Sequence, residues 1–182
     1  MPYLAHWIGK PLFGDLLLVE TQDKERERIT EIIVQLSLKG SFNLIAGDEW
    51  LPDRDTLYRS VRRYTVEIEE TLDRPNLKRP MTCLQLLDLL MEDNLQDNPT
   101  LILNFLHHFY NADVELNLRD RVLEQCCQHL QSLSHFNSVV VLVPRLSSEE
   151  YKRFFPILAA IANEIIHLEE SIETEISQGL LF

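Results

Sequence analysis

Short apolar runs alternate along the chain with longer amphipathic stretches. Residues 15–20, 42–47, 100–106, 138–144 and 164–169 are nearly continuous in Leu, Ile, Val and Phe. Runs of that length and composition read as strands, most of them covered on both faces. Between them the spacing predicts helices over 24–39, 53–66, 82–93, 118–134 and 148–162. Local signals mark the boundaries: Gly40 is suited to the C′ position of the first helix, Asp53 to capping the second, and Thr82 to opening the third. Leu84, Leu87, Leu90 and Met91 mark the predicted inner face of that third helix. Asp97-Asn98-Pro99 stops it before the third strand, because a residue preceding proline avoids the helical region. Residues 73–80 read as a linker. The alternation predicts an α/β fold with helices on both faces of a mainly parallel sheet of about five strands, and the C-terminal stretch offers an antiparallel extension.

Size and composition narrow this picture. With 182 residues, 45% of them apolar, the chain is long enough for one real core, and a single domain over 1–182 is expected. A net charge of −12 argues against a dominant role in holding phosphate backbones. Cys83, Cys126 and Cys127 form no CxxC pair, so they predict reduced thiols and a cytoplasmic setting. The opening residues lack a basic region followed by an apolar stretch, and no apolar run approaches 18 residues. Neither export nor membrane insertion is expected.

A domain of this pattern that binds nucleotide keeps a phosphate loop between its first strand and first helix. Here that stretch contains Glu20, Thr21, Gln22, Asp23, Lys24 and Glu25, and no glycine lies between Asp15 and Lys39. Cradling a phosphate takes glycines, so that backbone N–H groups can approach the anion without Cβ clashes, and a lysine followed by Ser or Thr. Lys24 is followed by Glu25.

Four segments carry a resemblance to a known family. They are Ile8-Gly9-Lys10-Pro11-Leu12-Phe13-Gly14-Asp15 leading into the first strand, Asn43-Leu44-Ile45-Ala46-Gly47-Asp48-Glu49-Trp50-Leu51-Pro52-Asp53-Arg54, Pro99-Thr100-Leu101-Ile102-Leu103-Asn104-Phe105-Leu106, and the helix from Leu116 to Leu130 with the strand Ser138-Val139-Val140-Val141-Leu142-Val143. Together they resemble the core of RecA-like recombinases and their paralogues, ATPases of the P-loop type, from about Ile8 to Glu170. The resemblance implies a three-layer RecA-like fold with degenerate Walker A and Walker B motifs. It matches Glu49 to the family's catalytic glutamate and Asn104 to the Walker B aspartate, so a neutral amide replaces the carboxylate that helps to hold Mg²⁺. Both are then vestigial, no cofactor or metal is expected, and none of the family's DNA-contacting residues has a counterpart here.

Other residues offer chemistry that spacing alone supports weakly. His107 and His108 follow the third strand, where Asp48 and Glu49 on the neighbouring strand would make them candidates for a general base or a metal site; the plainer expectation is solvated imidazoles at a helix or loop start. Cys126 and Cys127 lie about 100° apart on a helix, so one is expected in the core and the other at its edge. Seven of the seventeen Lys and Arg residues fall between positions 54 and 79. Arg54, Arg59, Arg62 and Arg63 lie on one helix and form a candidate basic patch; Asp53, Asp55, Glu67, Glu69 and Glu70 make an ordinary solvated face the simpler reading. Trp50 and Tyr58 are rings on which an adenine could stack. Residues 171–182, ending Gly179-Leu180-Leu181-Phe182, are expected to cover their apolar tip on the sheet or a partner.

The expectation is a catalytically inactive RecA-like paralogue, a pseudo-ATPase acting as an interaction or scaffold module. Its partner would be a competent relative or a second copy, and the resemblance implies a context of recombination or DNA repair. The alternative is an accessory nucleic-acid-binding protein using the arginine helix. Third comes an enzyme of unrelated chemistry built on Asp48, Glu49 and His107 or His108.

Overall fold

The computed structural model describes residues 15–21, 26–110 and 112–168, the side chain of Asp48 apart. Six strands form one sheet in the order β3-β2-β4-β5-β1-β6, and every neighbouring pair is parallel. The strands are β1 (Leu16–Thr21), β2 (Phe42–Ile45), β3 (Pro75–Lys78), β4 (Thr100–Leu103), β5 (Val139–Pro144) and β6 (Glu164–Leu168). The helices are α1 (Arg26–Lys39), α2 (Arg54–Val61), α3 (Ile68–Leu72), α4 (Cys83–Leu90), α5 (Leu116–Ser134) and α6 (Glu149–Ala159), with 3₁₀ turns at Asp48–Trp50, Asp93–Asp97 and Phe105–Phe109.

Right-handed crossovers divide these helices between two layers. Steps from β1 to β2 and from β2 to β3 run one way along the sheet and carry α1, α2 and α3; the later steps run back and carry α4, α5 and α6. Strand alternation feeds both layers. Leu17 and Val19 of β1 join Leu44, Leu101, Leu103 and Leu142 against Ile29, Ile32 and Ile33 of α1. Leu16 and Leu18 join Ile102, Val139, Val141 and Val143 against Leu86, Leu123, Cys126, Leu130, Phe154 and Leu158. The result is a three-layer arrangement of the RecA-like type.

Predicted caps hold. Asp53 Oδ1 accepts from Thr56 N at 2.8 Å, and Thr82 Oγ1 accepts from Gln85 N at 3.2 Å. Gly40 N–H closes α1 on Leu36 O at 3.2 Å, and its φ of 154° is one that side-chain-bearing residues rarely adopt.

Several expectations need correction. The linker 73–80 contains β3, an edge strand that brings the count to six. It opens on Pro75, which an edge tolerates because no partner needs its missing N–H, and its residues are exposed or only partly buried, so no apolar run announces it. The predicted helix 53–66 ends at Val61, and a second short helix follows at Ile68–Leu72. The strand expected over 100–106 stops at Leu103, because Asn104 turns left-handed (φ 55°, ψ 46°) and Phe105–Phe109 becomes a 3₁₀ turn. The inner face of α4 is Cys83, Leu86, Leu89 and Leu90, while Leu84 and Met91 are exposed. With leucines at five of its eight positions that helix is apolar almost all round, and its spacing does not single out one face. Residues 169–182, on which the expected C-terminal extension and the apolar tip fall, lie outside the described residues. Among the described residues no helix is long and apolar enough to cross a membrane.

Candidate functional site

The chain leaves β1 toward one edge of the sheet and β5 toward the other, yet β1 and β5 are neighbours. Their carboxyl ends therefore flank the crevice where open α/β sheets bind ligands. Alternation in β1 sends Glu20 to the α4–α6 side and Thr21 to the α1 side. Glu20 was expected to close the strand and open a degenerate loop, and Thr21 to lie in that loop; both belong to the strand and are buried, while Gln22, Asp23, Lys24 and Glu25 lie outside the described residues.

Glu20 is 6% exposed and clasped by two side chains. The Tyr151 hydroxyl donates to its Oε1, and His167 Nδ1 lies 2.5 Å from its Oε2. His167 is the direct neighbour of Glu20 in the β1–β6 register, which puts both on the same face. Tyr151 reaches in from the first turn of α6, where its N–H is capped by Ser148 Oγ at 3.2 Å. Burial, and then the hydrogen bond that the Glu20 carboxylate accepts from it, push the Tyr151 phenol far above its ordinary range; the nearby Arg145 guanidinium opposes this weakly. Tyr151 therefore stays a neutral donor at any physiological pH. The arrangement places an acid where an approaching phosphate would need positive charge.

Beside this clasp, and across β5 from it, polar groups go unmatched. Arg145 N donates to Thr21 O at 2.6 Å, but Thr21 Oγ1 is buried without a partner. Asn104, at the carboxyl end of β4, donates its N–H to Leu142 O at 2.8 Å while its Oδ1 is buried and unpartnered. Glu49, after β2, is exposed.

The two histidines diverge. His107 is exposed, but His108 is 6% exposed inside the 3₁₀ turn, and burial, with a smaller push from His107, lowers its imidazole to about 4. The expectation of two solvated imidazoles therefore fails for His108: side chains of a 3₁₀ turn step by about 120°, the core takes Phe105, Leu106, His108 and Phe109, and only His107 is left facing out. Among the described residues no three His, Cys, Asp or Glu side chains come together to hold a metal ion.

Both Cys126 and Cys127 are buried, at 0% and 4% exposure, where one had been expected at the edge. Helix α5 is covered by the sheet, by α4 and by α6, so its buried arc is wide enough for both. Burial raises both thiols, Cys127 to about 12, and makes them poor nucleophiles. Trp50, with 3% exposure, offers no face to a base; Tyr58 does, at 38%.

The arginine helix resolves into individual contacts. Arg54 pairs with Glu69 at 2.8 Å, and Arg59 Nε donates to Asp55 O at 3.2 Å. Nearby, Arg74 bridges Glu70 and the Ser37 carbonyl, and Lys78 pairs with Glu92. Arg62 and Arg63 are exposed beyond the end of α2. Much of this basic charge is thus met locally, as a solvated, mixed-charge face would have it.

Tyr151 and His167 escaped the sequence reading because they are 131 and 147 positions from Glu20, and only the packing of α6 and the pairing of β6 with β1 bring them there. The available signal was Glu20 itself: an acid closing a buried apolar strand needs partners somewhere. Compared with known proteins, the chain matches no family model and no curated protein.

Proposed function

We propose that the chain is a RecA-like ATPase paralogue that hydrolyses nothing and serves as a protein-interaction or scaffold module, in a cytoplasmic context of recombination or DNA repair. The observation that carries the reading is Glu20. The carboxyl end of β1 is where a phosphate would be received, and there the chain holds a buried acid secured by Tyr151 and His167. Asn104 supports it by supplying an amide where magnesium binding needs a carboxylate. For the scaffold role the supporting feature is the set of exposed apolar side chains on β3 and in the segments next to it in the chain, among them Val66, Leu77, Met81, Leu84 and Met91.

Titration with Mg²⁺·ATP, by calorimetry and thermal shift, tests it. We expect no saturable heat and no rise in melting temperature at millimolar nucleotide, since a ligand that binds only the folded state must stabilise it. Saturable binding would overturn the reading and reopen the enzymatic one. A partner is then sought with the full chain as bait and with Met81→Glu as control; loss of capture in that variant places the contact at the β3 edge.

A further inference from the structure

Between β2 and β3 the chain leaves the sheet for α2 and α3, and of the residues from Arg54 to Arg74 only Val61 and Thr71 are buried. Of their apolar side chains only Leu57, itself half-buried, packs against a large apolar core. Both helices pack instead on α1. That helix is buried along two stripes. Ile29, Ile32 and Ile33 face the sheet, whereas Thr30, Val34 and Ser37, spaced four and three apart, run down a flank about a quarter-turn round. Away from the sheet the elements packed on α1 are α2 and α3, so this flank is what they cover.

The seat is made of small and hydroxyl-bearing side chains, and its two valines, Val34 and Val61, belong to neither large core. Thr30 Oγ1 donates to Arg26 O and Thr71 Oγ1 to Glu67 O, both at 2.7 Å and within their own helices, so parting the helices leaves neither hydroxyl without its partner. Two polar bonds fasten the pair to α1. The exposed Tyr64 hydroxyl, from the turn between α2 and α3, donates to Glu31 Oε1 at 2.9 Å, and Arg74 Nη1, just after α3, donates to Ser37 O at 2.8 Å. A third bond, between Arg54 and Glu69 at 2.8 Å, ties α2 to α3 and not to the body of the domain.

We propose that α2 and α3 form a flap that opens as one unit while the sheet and α1 stay folded. Its opening bares the Thr30-Val34-Ser37 flank of α1, a surface that the closed chain hides. Little apolar area is lost when the flap lifts, and few buried contacts with solvent-exposed bonds mark the low-stability parts of a fold. Helices of eight and five residues are too short to persist alone, so they melt on leaving α1 and their amides become open to exchange.

Native-state hydrogen exchange of the full chain, followed residue by residue at rising sub-denaturing urea, tests this. The amides of α2 and α3 are expected to share one opening equilibrium, at least about tenfold more favourable than the opening that frees β5. Its urea dependence should be the weaker, because less surface is exposed. Tyr64→Phe, a change at an exposed side chain, should speed exchange in both helices about threefold, the worth of one exposed bond to a carboxylate, and leave β5 unmoved. Arg74→Met should do the same about tenfold; should it fail to fold, Tyr64→Phe decides alone. Exchange of α2 and α3 no faster than that of β5, unequal opening of the two helices, exchange unchanged in Tyr64→Phe, or an acceleration in that variant that extends to β5 would each overturn the proposal.

Discussion

Two asparagines at opposite ends of the sheet show how differently those ends are built. Asn43, near the amino end of β2, is wholly buried and fully used: its Nδ2 donates to Leu95 O at 3.1 Å, Asn98 O at 3.3 Å and Thr100 Oγ1 at 3.2 Å, and its Oδ1 accepts from Asn76 at 3.2 Å. That one amide ties together β2, β3, β4 and the turn before β4. Asn104, at the carboxyl end of β4, sits in a left-handed conformation with its Oδ1 buried and unmatched. The amino end has its polar groups locked into structure. At the carboxyl end Thr21, Asn104 and Tyr110 all keep an unmatched polar atom, and that is the end where folds of this kind place their chemistry.

Three substitutions probe the contrast. The largest effect is expected at Asn43. Its replacement by alanine strips partners from three acceptors, two of them in fully buried bonds, and from one donor, and should cost about 4 kcal/mol in urea unfolding; a cost no greater than that of Asn104→Ala would break the comparison.

Next comes His108, beside the carboxyl edge. Its imidazole is held neutral by burial, with a folded value of about 4 against an ordinary 6.5, so protons favour the unfolded chain. Its contribution costs nothing above about pH 6.5, removes stability progressively as pH falls toward 4, and levels off below. The loss amounts to something on the order of 3 kcal/mol. Stability measured across that window should fall less steeply in His108→Phe than in the parent chain, and identical slopes would refute the assignment.

The smallest effect is a gain. Asn104→Gly relieves the left-handed backbone and removes an unmatched carbonyl, and should raise stability by about 1 kcal/mol. A loss of stability would mean that the Asn104 side chain does structural work after all.

Much of the fold was legible because the central strands are the most apolar runs in the chain. Strands β1, β2, β4, β5 and β6 all begin within a residue of where the pattern places them, and Asp53 and Thr82 cap the helices they precede. Strand β3 was not legible, because Pro75-Asn76-Leu77-Lys78 carries no alternation and pairs only because β2 offers it an edge. The ends of β4 and of the helix after Asp53 were misplaced for a related reason. Phe105 and Leu106 continue the apolar run past β4, the Arg62-Arg63-Tyr64 stretch past Val61 carries no stop signal, and only tertiary packing shows that Phe105 and Phe109 are buried from a 3₁₀ turn. Of the candidate site, Glu20 and Asn104 were visible in the chain, but Tyr151 and His167 were not.

By itself the sequence determined the layered α/β class, the positions of the buried strands and the absence of any glycine between Asp15 and Lys39, because each of these follows from residue type at short range. Only the tertiary structure decided that Glu20 is clasped by Tyr151 and His167, that His108 is withdrawn into the core and that Arg119 and Tyr110 meet the same Phe154 ring. Those facts depend on contacts between residues far apart in the chain, and such contacts exist only once strand order and register have been set by packing.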